Sequence, residues 1–153
     1  MPHVAASTVI DTGPEPIWAL MSDPSRYPDF VDATDRMVDI GHGTFGVGYI
    51  YKEYGGIKPF LGESEWRVTE YEPMLHQSHL GDDGKMRMPL DIDLERVGDS
   101  TRLTIAFALK PRWYLVAPLA LLWPVMMRNR AQRVLDVTVQ TAKSIVESEA
   151  HVE

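Results

Sequence analysis

Apolar and polar residues alternate through the middle of the chain, from residue 33 to residue 110. Successive side chains of a β-strand point to opposite faces, so this period of two predicts strands with one apolar and one polar face. Short sequences such as Asp83-Gly84 and Gly98-Asp99 separate the strands and are typical of hairpins between antiparallel neighbours. The pattern therefore constrains the chain to an antiparallel meander whose apolar face must be covered.

Seven strands are predicted in all, at residues 4–10, 36–40, 45–54, 62–71, 75–80, 85–95 and 101–109. After the first of them, residues 13–21 and 23–30 predict two short helices, because proline is favoured in the first turn of a helix. Helices this short need to pack on another element to be stable.

The cover for the apolar face is predicted at residues 124–149, which contain no glycine and no internal proline. Apolar residues recur there at helical spacing. The expected stripe is Ala131, Leu135, Thr138, Ala142 and Ile145, widened by Val134 and Val137. At about 1.5 Å per residue the helix would be about 39 Å long, which is enough to cross the sheet.

Composition narrows the class of function. Fifteen lysine and arginine residues against 22 aspartate and glutamate residues give a net charge of −7, which argues against nucleic acid as a partner, and no basic tract suits an anionic membrane surface. The chain has no cysteine, which excludes disulfides and thiolate metal sites and fits a reducing compartment, so a cytoplasmic location is expected. The histidines form no pair with metal-ligand spacing, and neither a metal nor a cofactor is expected. Residues 1–10 lack the features of a signal peptide.

Three local sequences match a family pattern. Residues 10–18 read IDTGPEPIW and residues 23–30 read DPSRYPDF, similar to "I-D-A-P-P-E-x-V-W" followed by "D-P-x-x-Y-P-x-W", with Phe30 where tryptophan is common. Residues 66–73 read WRVTEYEP, similar to "W-x-V-x-E-x-E-P". In these motifs the chain resembles the START-related SRPBCC superfamily, also called polyketide cyclase/dehydrase-like, and the resemblance extends over residues 4–150.

The resemblance implies an α+β helix-grip fold. In that fold a curved antiparallel sheet of six or seven strands wraps around the long C-terminal helix, with two short helices after the first strand. No repeat or linker divides the sequence, so a single domain over residues 1–153 is expected, with its core at about residues 4–150. The family also implies a cavity between sheet and helix that holds a lipid-like or polyketide-like molecule.

A shared fold does not choose between the functions that it supports. Our leading interpretation is a binding module, a carrier or sensor of a hydrophobic small molecule. The first alternative is an enzyme of the cyclase/dehydratase type acting in the same cavity without a cofactor. The second is a protein-interaction module that uses the apolar segment 113–127. The sequence does not decide between a monomer and a homodimer.

Glu53 is the first candidate for catalysis. Strand parity places Val47, Tyr49, Tyr51 and Glu53 on the inner face. A carboxylate facing an apolar cavity has its pKa raised by desolvation and can act as an acid or a base. The alternative is that the strand end bends and Glu53 reaches solvent at the rim, because charged residues are seldom buried unpaired.

His76 is the second candidate. His76 and His79 have opposite parity, so only one of them faces the interior unless a bulge intervenes. Taking Met74, His76, Ser78 and Leu80 as the inner set predicts that His76 faces the cavity. The alternative for His76 is a structural role as a hydrogen-bonded side chain.

Aromatic and methionine side chains supply most of the predicted ligand-binding surface, because both adapt to apolar ligands and tyrosine adds a hydroxyl. The predicted ligand-binding residues are Tyr49, Tyr51, Trp66, Met86, Met88, Phe107, Trp113, Tyr114, Met127 and Arg130. Arg130 could bind a ligand anion or pair with Glu53, or it could lay its stem over apolar surface and extend its head into water. The same apolar set would also suit a filled core.

Segment 113–127, WYLVAPLALLWPVMM, is the most apolar part of the chain. It is shorter than the about 20 residues that a membrane-spanning helix needs, and two prolines interrupt it, so stable membrane insertion is not expected. The sequence predicts an irregular segment, and the resemblance implies that this segment lies at the cavity mouth. It would serve as a lid, or as a surface that touches a membrane transiently or a partner protein.

Overall fold

One curled antiparallel sheet forms the body of the molecule. The structure is a computed structural model that describes residues 3–152. Its strands are β1 (His3–Ile10), β2 (Thr34–Asp39), β3 (Ile50–Ile57), β4 (Phe60–Glu72), β5 (His76–Asp82), β6 (Met86–Val97), β7 (Ser100–Ala108) and β8 (Lys110–Pro111). Their order is β1-β7-β6-β5-β4-β3-β2, and the two-residue β8 pairs with β6. The predicted antiparallel meander, and with it the α+β fold class, is confirmed.

The helices lie where the sequence predicts them, with one addition. They are α1 (Pro14–Met21), α2 (Tyr27–Phe30), α3 (Val116–Leu122) and α4 (Arg128–Val152). A 3₁₀ turn at Pro24–Arg26 precedes α2, and the Asp23 carboxylate caps it by accepting a hydrogen bond from the Ser25 backbone N–H at 3.1 Å. The two short helices after β1 and the long C-terminal helix are confirmed.

The apolar stripe of α4 packs against the inner face of the sheet. Its fully buried members are Ala131, Leu135, Val139, Ala142 and Val146. Four of the five predicted stripe residues, Ala131, Leu135, Thr138 and Ala142, are buried. The fifth, Ile145, is only half-buried, and the neighbouring Val146 is buried instead. Val137, expected to widen the stripe, is exposed.

Polar side chains of α4 cover the free edge of β1. Gln132 donates to the carbonyl of Ala5 at 2.7 Å, and Lys143 donates to the carbonyl of Val9 at 2.8 Å. An edge strand otherwise presents unpaired backbone groups that favour aggregation. The helix therefore both covers the apolar face and satisfies part of the sheet edge.

The third predicted strand begins later than expected. Residues 45–48 form bends and a turn rather than strand, and β3 starts at Ile50. Gly48 has a φ value of 92°, a left-handed conformation that interrupts the extended backbone at this point. Val47, predicted to face inward, is consequently 69% exposed, and that prediction is wrong.

A bulge in β4 reverses the predicted parity of β5. Val68 pairs with His79 and Glu70 pairs with Ser78, so Thr69 is an extra residue on the β4 side. Burial and the cavity lining place His79 on the inner face, whereas His76 hydrogen-bonds to acidic residues on the outer face. The predicted inner set containing His76 is therefore wrong.

Segment 113–127 is helical throughout, whereas an irregular segment was expected. A 3₁₀ turn (Trp113–Leu115) leads into α3, and a π turn (Trp123–Met127) joins α3 to α4. Pro118 lies in the first turn of α3, where its missing N–H has no role. Pro124 lies in the π turn, a wider turn that relieves the clash of a proline ring with the preceding turn. No helix among residues 3–152 is both long and apolar enough to cross a membrane.

Candidate functional site

A cavity of about 480 Å³ lies between the inner face of the sheet, α2 and α4. Its lining is dominated by aromatic, methionine and aliphatic side chains. These are Met21, Tyr27, Phe30, Val31, Tyr51, Ile57, Phe60, Leu61, Trp66, Met86, Met88, Leu90, Ile92, Ile105, Phe107, Leu109, Met127, Ala131, Val134 and Leu135. The inner face of the sheet is thus partly hollow rather than fully packed against the helix.

Most of the predicted ligand-binding residues lie around this cavity. Those that line it are Tyr51, Trp66, Met86, Met88, Phe107 and Met127. Tyr49 lies outside the lining: it packs on the core, and its hydroxyl donates to the carbonyl of Ile40 at 2.5 Å. Trp113 and Tyr114 are 86% and 50% exposed, on the outer surface of the molecule.

An aromatic wall closes one side of the cavity. Tyr51 stacks parallel to Trp66 with ring centroids 6.3 Å apart, and the edge of Tyr27 meets the Tyr51 ring at 5.3 Å. The Trp66 ring lies directly over Gly81 of the adjacent strand, where a side chain would collide with the indole. The Tyr27 hydroxyl donates to the carbonyl of Met21 at 2.6 Å, which anchors α2 to α1.

A chain of buried hydrogen bonds runs through the sheet from this wall. The Tyr51 hydroxyl lies 2.7 Å from Nδ1 of His79, and Nε2 of His79 lies 2.7 Å from Oε1 of Gln77. Nε2 of Gln77 donates in turn to the Ser22 hydroxyl at the C-terminus of α1, at 3.3 Å. Tyr51, His79 and Gln77 are all almost completely buried.

Burial and the hydrogen-bond partners of His79 determine its charge and which of its ring nitrogens carries the proton. Burial lowers the pKa of His79 to about 3, so the imidazole is neutral near neutral pH. The amide oxygen of Gln77 can only accept, so Nε2 of His79 carries the proton and Nδ1 accepts from Tyr51. Burial also raises the pKa of Tyr51 well above its usual value, and its hydroxyl stays protonated. In this arrangement the lone pairs of the Tyr51 oxygen remain to accept a hydrogen bond.

Glu53 supplies a carboxylate to the cavity wall. It is half-buried, and its Oε2 accepts a hydrogen bond from the Thr34 hydroxyl at 2.8 Å. Burial raises the pKa of Glu53, and the hydrogen bond from Thr34 opposes that rise. The Glu53 carboxyl lies on the same strand as Tyr51, two residues away.

His76 lies outside the cavity in a surface cluster. Its Nδ1 is 2.6 Å from Asp93 and its Nε2 is 2.8 Å from Glu70. Partial burial lowers the pKa of His76, but the hydrogen bonds of Asp93 and Glu70 outweigh it and raise the pKa overall. Among the described residues, no group of three or more histidine, cysteine, aspartate or glutamate side chains is arranged to hold a metal ion.

The solvent-exposed part of the lining marks the cavity mouth. Phe60 and Leu61, at the tip of the β3–β4 hairpin, are exposed, as are Asp83 and Lys85 in the β5–β6 turn. Arg130 of α4 joins this region by donating from Nη1 to the carbonyl of Lys58 at 2.9 Å. Arg130 therefore fixes the hairpin tip to the helix, and its described contact is not the predicted pairing with Glu53.

The sequence reasoning missed two cavity-facing residues that bear on the chemistry. His79 was assigned to the outer face because a β-bulge has no reliable single-sequence signal. Tyr27 was not among the predicted cavity residues, although α2 presents its ring to the cavity. The available signal was the parity of Tyr51 itself, because a buried tyrosine hydroxyl requires a hydrogen-bond partner.

Comparison with known proteins agrees with this architecture. A family model described as polyketide cyclase / dehydrase and lipid transport matches residues 1–147. A search of curated proteins found no match.

Solved structures share the fold at low sequence identity. A Thermus thermophilus protein superposes with a TM-score of 0.76 at 12% identity, covering 97% of this chain and 99% of its own. A START superfamily protein from Mycobacterium smegmatis gives 0.73 at 13% identity, covering 95% and 97%. The Zhui aromatase/cyclase from a Streptomyces species gives 0.68 at 14% identity, covering 97% and 93%. At these identities the likeness concerns the fold alone.

Proposed function

Because the chain belongs to the polyketide cyclase/dehydrase and lipid transport family, we propose that it binds a hydrophobic small molecule in the cavity between its sheet and α4. The observation that carries this proposal is the apolar lining of that cavity, into which the buried Tyr51–His79 pair introduces a polar group. A water-filled cavity lined by aromatic and methionine side chains is unfavourable, and an apolar ligand relieves that cost.

The size of the cavity supports a ligand of drug-like dimensions. At about 480 Å³ it falls within the range of about 300–1,000 Å³ typical of small-molecule sites. The flat rings of Tyr51 and Trp66 favour a ligand with a planar or ring-containing body, because aromatic faces pack well against such surfaces.

The hydrogen-bond chain supports a ligand with one polar group. In the arrangement described, the Tyr51 oxygen accepts from a ligand hydroxyl. Rotation of the Gln77 amide by half a turn would reverse the chain: Gln77 would donate to Nε2, Nδ1 of His79 would donate to Tyr51, and Tyr51 would donate to a ligand carbonyl. The same wall can therefore bind a hydroxyl or a ketone, with every buried polar group still paired.

Native mass spectrometry of the freshly purified full chain tests this proposal. We expect a mass above that of the bare chain, and organic extraction should release one predominant apolar compound. A Met88→Trp variant fills the cavity and should purify without that compound, whereas Arg87→Trp, which places the same indole on the exposed face of β6, should retain it. Retention of the compound by the Met88→Trp variant would contradict binding in this cavity.

A second candidate function is catalysis of the cyclase or dehydratase kind. It is supported by Glu53 and Tyr51, which face the cavity from one strand and can supply and remove protons near a bound carbonyl. Incubation with a poly-β-ketone thioester, followed by product analysis, tests this function. Glu53→Gln should abolish cyclised product while leaving intact the binding of an uncharged fluorescent probe, N-phenylnaphthylamine, in the cavity. Equal product with and without the protein would exclude this activity on that substrate.

A further inference from the structure

The helical segment 113–127, here called the arm, exposes apolar side chains on the surface. Trp113 is 86% exposed and Leu121 74% exposed, and Tyr114, Val116 and Met126 are each about half exposed. The main contacts of α3 are with the helical turns on either side of it. A contiguous apolar surface of this kind marks an interaction site in a folded protein.

Cationic side chains flank the arm at both ends. Lys110 and Arg112 precede it, Arg128 and Arg130 follow it, and all four are exposed. From residue 100 to residue 135 the sequence contains no aspartate or glutamate, although the whole chain carries a net charge of −7. The β5–β6 turn lies next to the start of the arm and contains Asp82 and Asp83. Their carboxylates accept hydrogen bonds from backbone N–H groups within that turn.

We infer that the arm docks onto an anionic membrane surface. Its apolar face enters the acyl boundary, and the flanking lysine and arginine residues contact lipid headgroups. The arm is 15 residues long, about 22 Å as a helix, so it lies in the interface and does not span the bilayer. Trp113 and Tyr114 lie at its N-terminal end, beside Arg112, as expected for aromatic residues at headgroup depth.

The charge pattern favours a lipid surface over a second copy of the chain. A symmetric contact between two arms would bring the arginines of one copy close to those of the other, which costs free energy. An anionic bilayer instead offers negative headgroups on both sides of a buried apolar strip. These cations form no basic tract in the sequence, because the apolar segment separates them. The continuous helical segment places them at the two ends of one surface.

The position of the arm connects this inference to the cavity. Met127, the last residue of the arm, is buried and lines the cavity, and Arg130 bonds the hairpin tip that carries Phe60 and Leu61 at the mouth. If the proposed ligand binding holds, docking would place the mouth beside the acyl chains, so that an apolar ligand could exchange without crossing water. Membrane docking itself does not depend on a ligand and is measured separately.

Flotation of the full chain with lipid vesicles tests the inference. The wild-type protein should float with vesicles of phosphatidylcholine mixed with phosphatidylglycerol, and much less with phosphatidylcholine alone. Added salt should release it, because screening weakens attraction to the headgroups. Each of Arg112→Gln and Arg128→Gln should weaken binding to anionic vesicles about fivefold.

Two double variants test whether vesicle binding depends on the arm or on exposed apolar side chains in general. Trp113→Ser combined with Leu121→Ser should lose vesicle binding. Val47→Ser combined with Leu75→Ser removes two exposed apolar side chains elsewhere and should retain it. Circular dichroism of all variants establishes that they are folded. Binding of the arm variant equal to wild type would overturn the inference. So would an absence of wild-type binding, or an arm-dependent dimer in its place.

Discussion

The hydroxyl of Tyr51 lies 2.7 Å from Nδ1 of His79, so a buried hydrogen bond links β3 to β5 across the intervening β4. Both residues are only 2% exposed. A polar pair placed this deep in an apolar wall stabilises the protein only while both partners are paired. The pair therefore contributes to stability and also gives the cavity a polar group.

Tyr51→Phe should lower the free energy of unfolding by about 1–3 kcal/mol, because it leaves Nδ1 of His79 buried without a donor. Urea unfolding followed by fluorescence measures the change. Tyr114→Phe removes a hydroxyl from an exposed ring and should change stability by less than about 0.5 kcal/mol. Equal effects of the two substitutions would show that the buried bond carries no stability.

His79 should make the native state less stable as the pH falls below 6.5. Its pKa is lowered to about 3 in the folded protein, so below 6.5 the unfolded chain binds a proton that the native state does not. The free energy of unfolding should fall by up to about 1.4 kcal/mol per pH unit from this residue between pH 6 and 5. His79→Gln should flatten that dependence, as urea titrations at several pH values would reveal. An unchanged slope would mean that His79 titrates normally.

His76 should act in the opposite direction. Its pKa is raised by Asp93 and Glu70 despite partial burial, so its stabilising charge is present below about 6.5 and is lost as the pH rises through the folded pKa. His76→Gln removes this gain, and the variant should lose stability more steeply on acidification from pH 8 to pH 6. The same urea series provides the measurement, and a shallower slope in His76→Gln would contradict the assignment.

Glu53→Gln should raise the free energy of unfolding at pH 7. Burial raises the pKa of this carboxyl, so above its unfolded pKa the charged form destabilises the native state, and the amide removes that charge while still accepting from Thr34. Glu65→Gln, on the exposed face of β4, is the matched control and should have little effect. The gain should shrink towards pH 4. A destabilised Glu53→Gln at pH 7 would contradict this prediction, because it would mean that the hydrogen bond to the carboxylate outweighs the cost of burying its charge.

Much of the fold follows from local sequence, because strand alternation and helical spacing depend on neighbouring residues. The antiparallel order, the short helices and the long C-terminal helix are all correct. The errors arise where one residue interrupts the regular alternation of a strand. Thr69 is an extra residue in β4, and it moved His79 into the cavity in place of His76. Gly48 at a positive φ delayed β3 until Ile50 and left Val47 exposed.

The candidate site was less predictable than the fold for a physical reason. Parity assigns a side chain to a face, and it correctly turned Tyr51, Glu53 and Trp66 inward. Parity does not tell whether the space beyond those side chains is empty, because that depends on how far α4 lies from the sheet. Parity also does not place residues outside the strands. It therefore could not indicate that Trp113 and Tyr114 lie on the surface and not against the cavity.

Titration with the uncharged fluorescent probe N-phenylnaphthylamine tests the central claim most directly. The wild-type chain should bind one probe per molecule with saturation. Met88→Trp should weaken binding about tenfold or more, a loss of about 1.4 kcal/mol or more, because the indole occupies the cavity. Arg87→Trp should bind as wild type does. Saturable binding that is unaffected by Met88→Trp, or no saturable binding by the folded wild-type chain, would contradict a ligand cavity between the sheet and α4.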